Sequence, residues 1–358
     1  MNVPQRLYHG ETHFDIVGNR RRWFTLSAAL LIVSGLALGL RGLNLGVDFE
    51  GGVLVEVENP AGASVGDVRS EMAAIGIDNA KVQTTGGGGS SGGIRVQTEE
   101  LDDTRLQRLI DTVAAVAGVE TVEANVQTVG PSFGSRVTTA AVRALIIFLI
   151  VAAVFISVVL QWKMAGAALL ALFHDLILTA GIYALVGFEV TPNTVIAVLT
   201  ILGYSLYDTV VVFDKVLENE QERGDSHTAS AIVNMSMNQV VMRSINTSLT
   251  SLLPIGSLLF VGSILLGATT LREFALALFI GVAAGTYSSI FIAAPVLAIW
   301  KEREEHWQRV RRRLTRKGSE DEFAARTYAV VPIEVEEETM IAATGAVPRP
   351  PKKRRRRR

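Results

Sequence analysis

The chain has no cysteine, which excludes disulfides, thiolate-ligated metals and thiol nucleophiles. It lacks a cleavable signal: Arg20, Arg21 and Arg22 lead into an apolar run without a small-residue cleavage site, which reads as a retained span. Residues 41–140, the one long polar stretch between apolar runs, hold no histidine cluster, no paired acids at a useful spacing and no nucleotide loop. The glycine-serine run at 86–93 is not a phosphate loop, because no Lys-Ser or Lys-Thr follows it and it joins two expected strands. These absences leave the polar stretch as a binding or mechanical module rather than an enzyme, with no metal site. Charge of one sign is missing in two further places. The last eleven residues carry eight Lys or Arg and no acid, and the loop 187–193 has no Lys or Arg.

What the chain does have is apolar sequence in long runs. Of its 358 residues 49% are hydrophobic, the net charge is −1, and the mean hydropathy is +0.34. Runs at 23–40, 144–160, 165–186, 194–213, 246–266 and 275–300 are each near the length needed to span a bilayer. The expected architecture is a polytopic α-helical membrane protein with about six spans. Its divisions are an N-terminal segment 1–22, a first span 23–40, a polar domain 41–140, spans two to six within 141–300, and a basic tail 301–358. Lys163, Lys215, Arg223 and Arg243 fall in one set of loops while 187–193 and 267–274 are almost free of Lys and Arg, so the positive-inside bias puts both termini in the cytoplasm. Arg136 and Arg143 run against the bias at the end of a long loop, where it is weak. The tail is strongly basic over 301–317, where it can continue the last helix along lipid headgroups. Its Pro-rich, Arg-rich end is expected to be disordered. Such a tail fits nonspecific contact with anionic lipid better than a specific nucleic acid.

The domain 41–140 has a legible pattern. Residues 53–58 alternate as a strand. A helix over 64–75 starts at Ser64, with Asp67 three residues on, and strands follow at 80–84 and 94–98. Asp102 or Asp103 caps a helix to 116 that lines up Leu106, Leu109, Ile110 and Val113, and a last strand covers 119–126. The order β-α-β-β-α-β is that of an extracytoplasmic α+β, ferredoxin-like unit with two helices on one face of a four-stranded antiparallel sheet. Ahead of it, Gly46, Asp48, Gly51 and Gly52 form either a hinge between helix and sheet or part of an ion entry.

The chain is organised around residues 199–214, an apolar stretch that carries Asp208 inside it. A carboxylate at the bilayer centre costs roughly 2.5–3.5 kcal/mol on insertion scales. Asp208 therefore either carries a proton or ion, or locks two helices together. Asp214 lies ~9 Å further along the helix, at about 1.5 Å per residue. The next span begins with Arg243, Asn246, Thr247 and Thr250 on one stripe, expected to meet Asp208 at its depth. A carboxylate held between a guanidinium and hydrocarbon can change its protonation state when helices shift slightly. His174 and Asp175 form a second ionisable pair near mid-membrane, either a relay or an interhelical lock. Tyr204, Asn246 and Thr247 are the further polar side chains within reach. Gly281 and Gly285 provide a small-residue contact in the last span, and Pro254 is expected to kink the fifth.

At these residues the sequence resembles the SecF family of the bacterial SecDF export complex, in the resistance-nodulation-division superfamily. The resemblance is carried by Gly46-Val47-Asp48-Phe49-x-Gly51-Gly52, His174-Asp175, Gly203-Tyr204-Ser205-x-x-Asp208-Thr209, Arg243-Ser244-Ile245-Asn246-Thr247-Ser248 and Gly285-Thr286-Tyr287-Ser288-Ser289, in order over residues ~15–300. It implies pairing with SecD beside a SecYEG channel that passes SecA-driven preprotein. It also implies a bacterial plasma-membrane location, coupling to protons with no cofactor, and a proton pathway through Asp208 and Arg243. Two rivals stand beside it: a half-size proton-driven exporter of small molecules or lipids in the same superfamily, and a passive scaffold. An intramembrane aspartyl protease would share Tyr207-Asp208 but needs a second Asp in a Gly-x-Gly-Asp setting, whereas Asp175 follows Phe173-His174.

Overall fold

The computed structural model describes residues 14–85, 92–262 and 269–316. The tip of the glycine-serine run, the first thirteen residues and the Arg-rich end of the tail lie outside these bounds, with the expectations attached to them.

Helix α1 (Arg20–Arg41) leads into a two-residue strand β1 (Asn44–Leu45) and a single helical turn α2 (Val47–Glu50). The sheet unit follows: β2 (Gly52–Glu58), α3 (Val65–Ala74), β3 (Lys81–Thr85), β4 (Gly93–Thr98), α4 (Asp103–Ala117) and β5 (Asn125–Val129). Its strands lie antiparallel in the order β3-β4-β2-β5. Alternation sends Val53, Val55, Val57, Val82, Ile94 and Val96 to the face covered by α3 and α4, where Met72, Leu109 and Val113 close the core. Ser64 and Asp67 cap α3 reciprocally, and Asp102 caps α4. The last strand starts later than the alternation at 119–126 suggests. Gly118 ends α4 in a left-handed turn, a 3₁₀ turn at Thr121–Glu123 follows, and Val122 is left exposed. The chain needs that extra turn to come back to the edge of β2.

The bundle consists of α5 (Pro131–Val159), α6 (Trp162–Val186), α7 (Pro192–Arg223), α8 (Ala229–Ser257), α9 (Thr269–Ser288) and α10 (Ala294–Glu302), with a second short strand β6 (Glu189–Val190) between α6 and α7. A π turn at Ser289–Ala293 joins α9 to α10. With α1 this makes six helices long and apolar enough to cross a membrane. Helix α5 begins at Pro131, well before its apolar run, and its first turn lies against α2, where a Cβ on Gly134 would fall 2.5 Å from the Phe49 carbonyl oxygen. Helix α8 continues through Pro254 into a π turn at Leu258–Gly262. A proline ring displaces the helical bond one turn back, and a wider turn absorbs the mismatch. Gly281 and Gly285 let α9 close on α7. A Cβ would lie 2.2 Å from Ile201 at the first and 2.8 Å from Ser205 at the second.

Residues 305–316 do not continue the last helix without a break. The chain breaks at Arg303–Glu304 and restarts as α11 (Glu305–Arg316). Trp307, Val310 and Leu314 share one face of α11 and are buried, Trp307 within the core made by α6, α7, α8 and α10. Arg309, Arg311, Arg312, Arg313 and Arg316 point outward. The apolar stripe finds better cover on the bundle end than in water, which re-aims the chain.

Candidate functional site

Helix α7 starts at a firm cap, with Thr191 and Thr194 bonded reciprocally and Pro192 in the first turn. Ser205, Asp208, Thr209, Val212 and Phe213 are then carried to its buried side. Asp208 Oδ1 accepts a hydrogen bond from Ser244 Oγ on α8 at 2.7 Å, while Oδ2 is buried without a partner. Arg243 does not pair with Asp208. Its Nη2 donates to the hydroxyl of Tyr207 at 3.1 Å, on the exposed side of the two helices. Asn246 and Thr250 are exposed on that side too, and Thr247 bonds back to the carbonyls of Arg243 and Ser244. The expected polar stripe thus lies one face away from Asp208. The helix turns Ser244 and Ser248 inward instead, and Ser248 continues to Thr286 of α9 at 2.6 Å.

His174 and Asp175 form a second node on α6. Asp175 Oδ2 accepts hydroxyl bonds from Ser205 of α7 (2.7 Å) and Ser288 of α9 (2.8 Å). Its Oδ1 lies 3.3 Å from His174 Nδ1. Ser289 lies one residue further on and bonds Thr209 Oγ1 at 2.8 Å and the carbonyl of Ser205 at 3.3 Å. The π turn begins at Ser289, which lets two consecutive serines point inward. Pro295, lacking an N–H, lies just beyond. Tyr204 precedes Ser205 on α7, and its buried hydroxyl has no partner.

A third cluster ties the sheet to the bundle, and it rests on residues that sequence pattern did not single out. Arg95 of β4 donates from Nη1 to Glu189 (2.6 Å) and Glu273 (2.9 Å), and its Nη2 lies 3.4 Å from Glu56. All four side chains are largely buried. Burial alone would lower the affinity of Arg95 for its proton, but the carboxylates of Glu189, Glu56 and Glu273 outweigh it and hold the guanidinium more firmly charged than usual. Beside it lies a polar cavity of about 230 Å³, lined in part by Asp48, Gln127 and Glu189. Gly46 belongs here as well. Its N–H bonds the Val190 carbonyl at 3.0 Å, β1 pairs parallel with β6, and a Cβ would fall 2.6 Å from Glu189 Oε1. Gly51 and Gly52 have positive φ, and a Cβ on Gly52 would strike the Thr98 carbonyl. Asp48 bonds Gln127 at 3.1 Å, and partial burial raises its carboxyl above the ordinary range against the pull of that bond. The signal for this cluster was present as an arginine on the outward-alternating face of a strand and an acid in a loop free of Lys and Arg. Among the described residues, no group of three or more His, Cys, Asp or Glu is arranged to hold a metal ion.

The family model for the C-terminal region of protein export membrane proteins SecD and SecF matches residues 109–303, and the SecD/SecF GG motif matches residues 36–58. The chain belongs to the SecF family. It is 40% identical over 314 residues to protein translocase subunit SecF of Streptomyces coelicolor, covering 87% of this chain and 83% of that one. It is 39% identical over 363 residues to protein translocase subunit SecF of Mycobacterium tuberculosis, covering 95% and 80%. The crystal structure of SecDF from Thermus thermophilus superposes with a TM-score of 0.74 at 31% identity over 82% of this chain. That SecDF chain is longer, and this one spans 39% of it. Membership and the six helices make this a multi-pass membrane protein, a SecF-type subunit with a role in Sec-dependent export. The GG motif falls on the Gly46 to Gly52 turn where the sheet meets the bundle, and the larger match takes in the Asp208 and Asp175 clusters together with Glu189 and Glu273 of the third.

Proposed function

We propose that this SecF-type chain couples proton movement through Asp208 to preprotein export, as one half of a unit completed by SecD. The observation that carries the reading is the buried Asp208, bonded to the next helix by one serine and left with an open carboxylate oxygen. A carboxylate in that setting costs stability unless it gains function. One proton crossing about 100 mV supplies ~2.3 kcal/mol, enough to bias two arrangements of α7 and α8. Arg243, Asn246 and Thr250 lie on the exposed side of the bundle beside Tyr207, which suits a face completed by SecD rather than by lipid. The name SecDF, borne by the longer relative, supports that pairing.

The remaining assignments are part of the same reading. The sheet unit is ferredoxin-like and extracytoplasmic, a holding or pulling module near a SecYEG channel passing SecA-driven preprotein. Its strand order and two covering helices support the ferredoxin-like part of this reading. Both termini lie in the cytoplasm and the membrane is the bacterial plasma membrane. The basic tail meets anionic lipid, with no specific nucleic acid. Protons take the place of a cofactor, and the subunit is an accessory to translocation rather than an enzyme.

The test is preprotein translocation into inverted vesicles that hold this chain and its partner, with and without an imposed proton gradient. Asp208→Asn should remove the gradient-dependent component and leave the rest. Arg243→Lys should reduce it, because an ammonium does not reproduce the planar guanidinium's bond to the Tyr207 hydroxyl. Full gradient stimulation in Asp208→Asn would end this reading, and in Arg243→Lys it would take Arg243 out of the pathway.

A further inference from the structure

The mechanism above uses Asp208, yet a second span, α6, buries a carboxylate as well. Asp175 is 1% exposed and His174 is 4% exposed. Asp175 Oδ2 is arranged as an acceptor, taking hydroxyl bonds from two other spans. With Asp175 as a carboxylate that only accepts, the hydrogen sits on the His174 nitrogen facing Oδ1 and Nε2 is left with its lone pair. That Nε2 is buried and has no hydrogen-bond partner. A buried basic nitrogen with an unshared lone pair, on a ring oriented by a carboxylate, is placed to take a proton.

We propose that the His174–Asp175 pair is a proton-binding site in its own right, taking one proton at His174 Nε2 and reporting its charge to the fourth and sixth spans through Ser205 and Ser288. This rests on the proton-driven reading and adds a second station to it. The step balances simply. One proton joins the Nε2 lone pair, the neutral ring becomes an imidazolium, and the pair changes from net −1 to neutral. No bond other than N–H forms or breaks. With its charge shared by the imidazolium, Asp175 holds the hydroxyls of Ser205 and Ser288 less tightly, since hydrogen bonds to a full carboxylate are the stronger kind. The clamp on α7 and α9 loosens at the π turn, where Ser289 and Thr209 continue the contact.

The groups around the pair are few. The Tyr287 ring lies 5.9 Å from the His174 ring, and its hydroxyl is tied to Ser27 and to the Trp23 carbonyl of α1. Tyr204, Tyr207 and Asp208 are the titratable groups on α7 within a turn of Ser205. On α5 the charged side chains Arg136 and Arg143 are exposed. No cation among the described residues pairs with Asp175 other than His174 itself.

The experiment uses the full chain with its partner in proteoliposomes. His174→Asn keeps an amide donor where Nδ1 stands but cannot take a proton. It should lose gradient-dependent translocation and the pH dependence of that component, while gradient-independent translocation and assembly persist. Asp208→Asn runs beside it. If Asp208→Asn keeps its gradient response, the proton-driven reading fails; if Asp208→Asn loses it and His174→Asn keeps it with an unchanged pH profile, only the present inference fails. A direct readout is the imidazole nitrogen spectrum of histidine-labelled complex in lipid. The chain has five histidines, so replacing His9, His13, His227 and His306 isolates the signal. A shift of that signal from neutral to imidazolium within the working pH range supports the site, and a signal that stays neutral throughout overturns it. The spectrum carries the test alone if His174→Asn does not assemble.

Discussion

Asp208 and Asp175 stand out in any reading of the sequence because acids inside apolar runs are costly. Their partners do not. Ser205, Ser244, Ser288 and Ser289 are small residues that equally serve packing or bond to their own helix, and only the register of neighbouring helices decides which. That is why the stripe beginning at Arg243 was legible as polar but not as outward-facing. One position near the sheet offers a test of the same logic in water. Burial raises the Asp48 carboxyl, so its folded-state value lies above the unfolded one. The stability tied to this group is therefore greatest below the unfolded carboxylate range and declines as pH rises through the folded value. Asp48→Asn should flatten this dependence between acidic and neutral pH and leave the neutral-pH melting temperature unchanged or slightly higher. Thermal unfolding of detergent-solubilised protein across that range reads it, and a steeper dependence in the variant would contradict the assignment.

At the scale of elements, α7 and α9 pack closely, with Gly281 against Ile201 and Gly285 against Ser205. Gly281→Leu places atoms where Ile201 already stands. Overpacking of this kind costs about 1–3 kcal/mol, so the variant should melt lower and lose the α7–α9 register. Gly203→Ala is the matched control, since a Cβ there meets nothing within 4 Å. It should be neutral or gain up to roughly 1 kcal/mol from helix propensity. Equal losses in both would show that the close approach does not hold the pair. The small-residue spacing was readable in the sequence. The π turn beside it was not, because composition marks a proline but not the width of the turn that accommodates it.

Over the whole molecule, the strands and helices of the sheet unit were legible from alternation and caps, while its attachment was not. Docking depends on Arg95, Glu56, Glu189 and Glu273, which are far apart in the chain and meet only when the sheet sits on the bundle. Arg95→Met strands three carboxylates at a largely buried junction. Removing one partner of a buried ion pair costs about 3–5 kcal/mol. Hydrogen exchange at β4 and β6 should rise, and adding Glu189→Gln and Glu273→Gln should recover part of the loss. Exchange that stays at wild-type levels in Arg95→Met would mean that the apolar contacts alone fix the sheet.

Only Gly130 separates β5 from α5. That makes α5 an axle with the sheet as its crank. With strands about 4.8 Å apart, the far edge at β3 stands roughly 14 Å from β5, so a turn of about ten degrees in α5 sweeps that edge by roughly 2.5 Å. The Arg95 junction grips the same crank from the side of α7 and α9. A twist entering through either support is delivered to the other as torque.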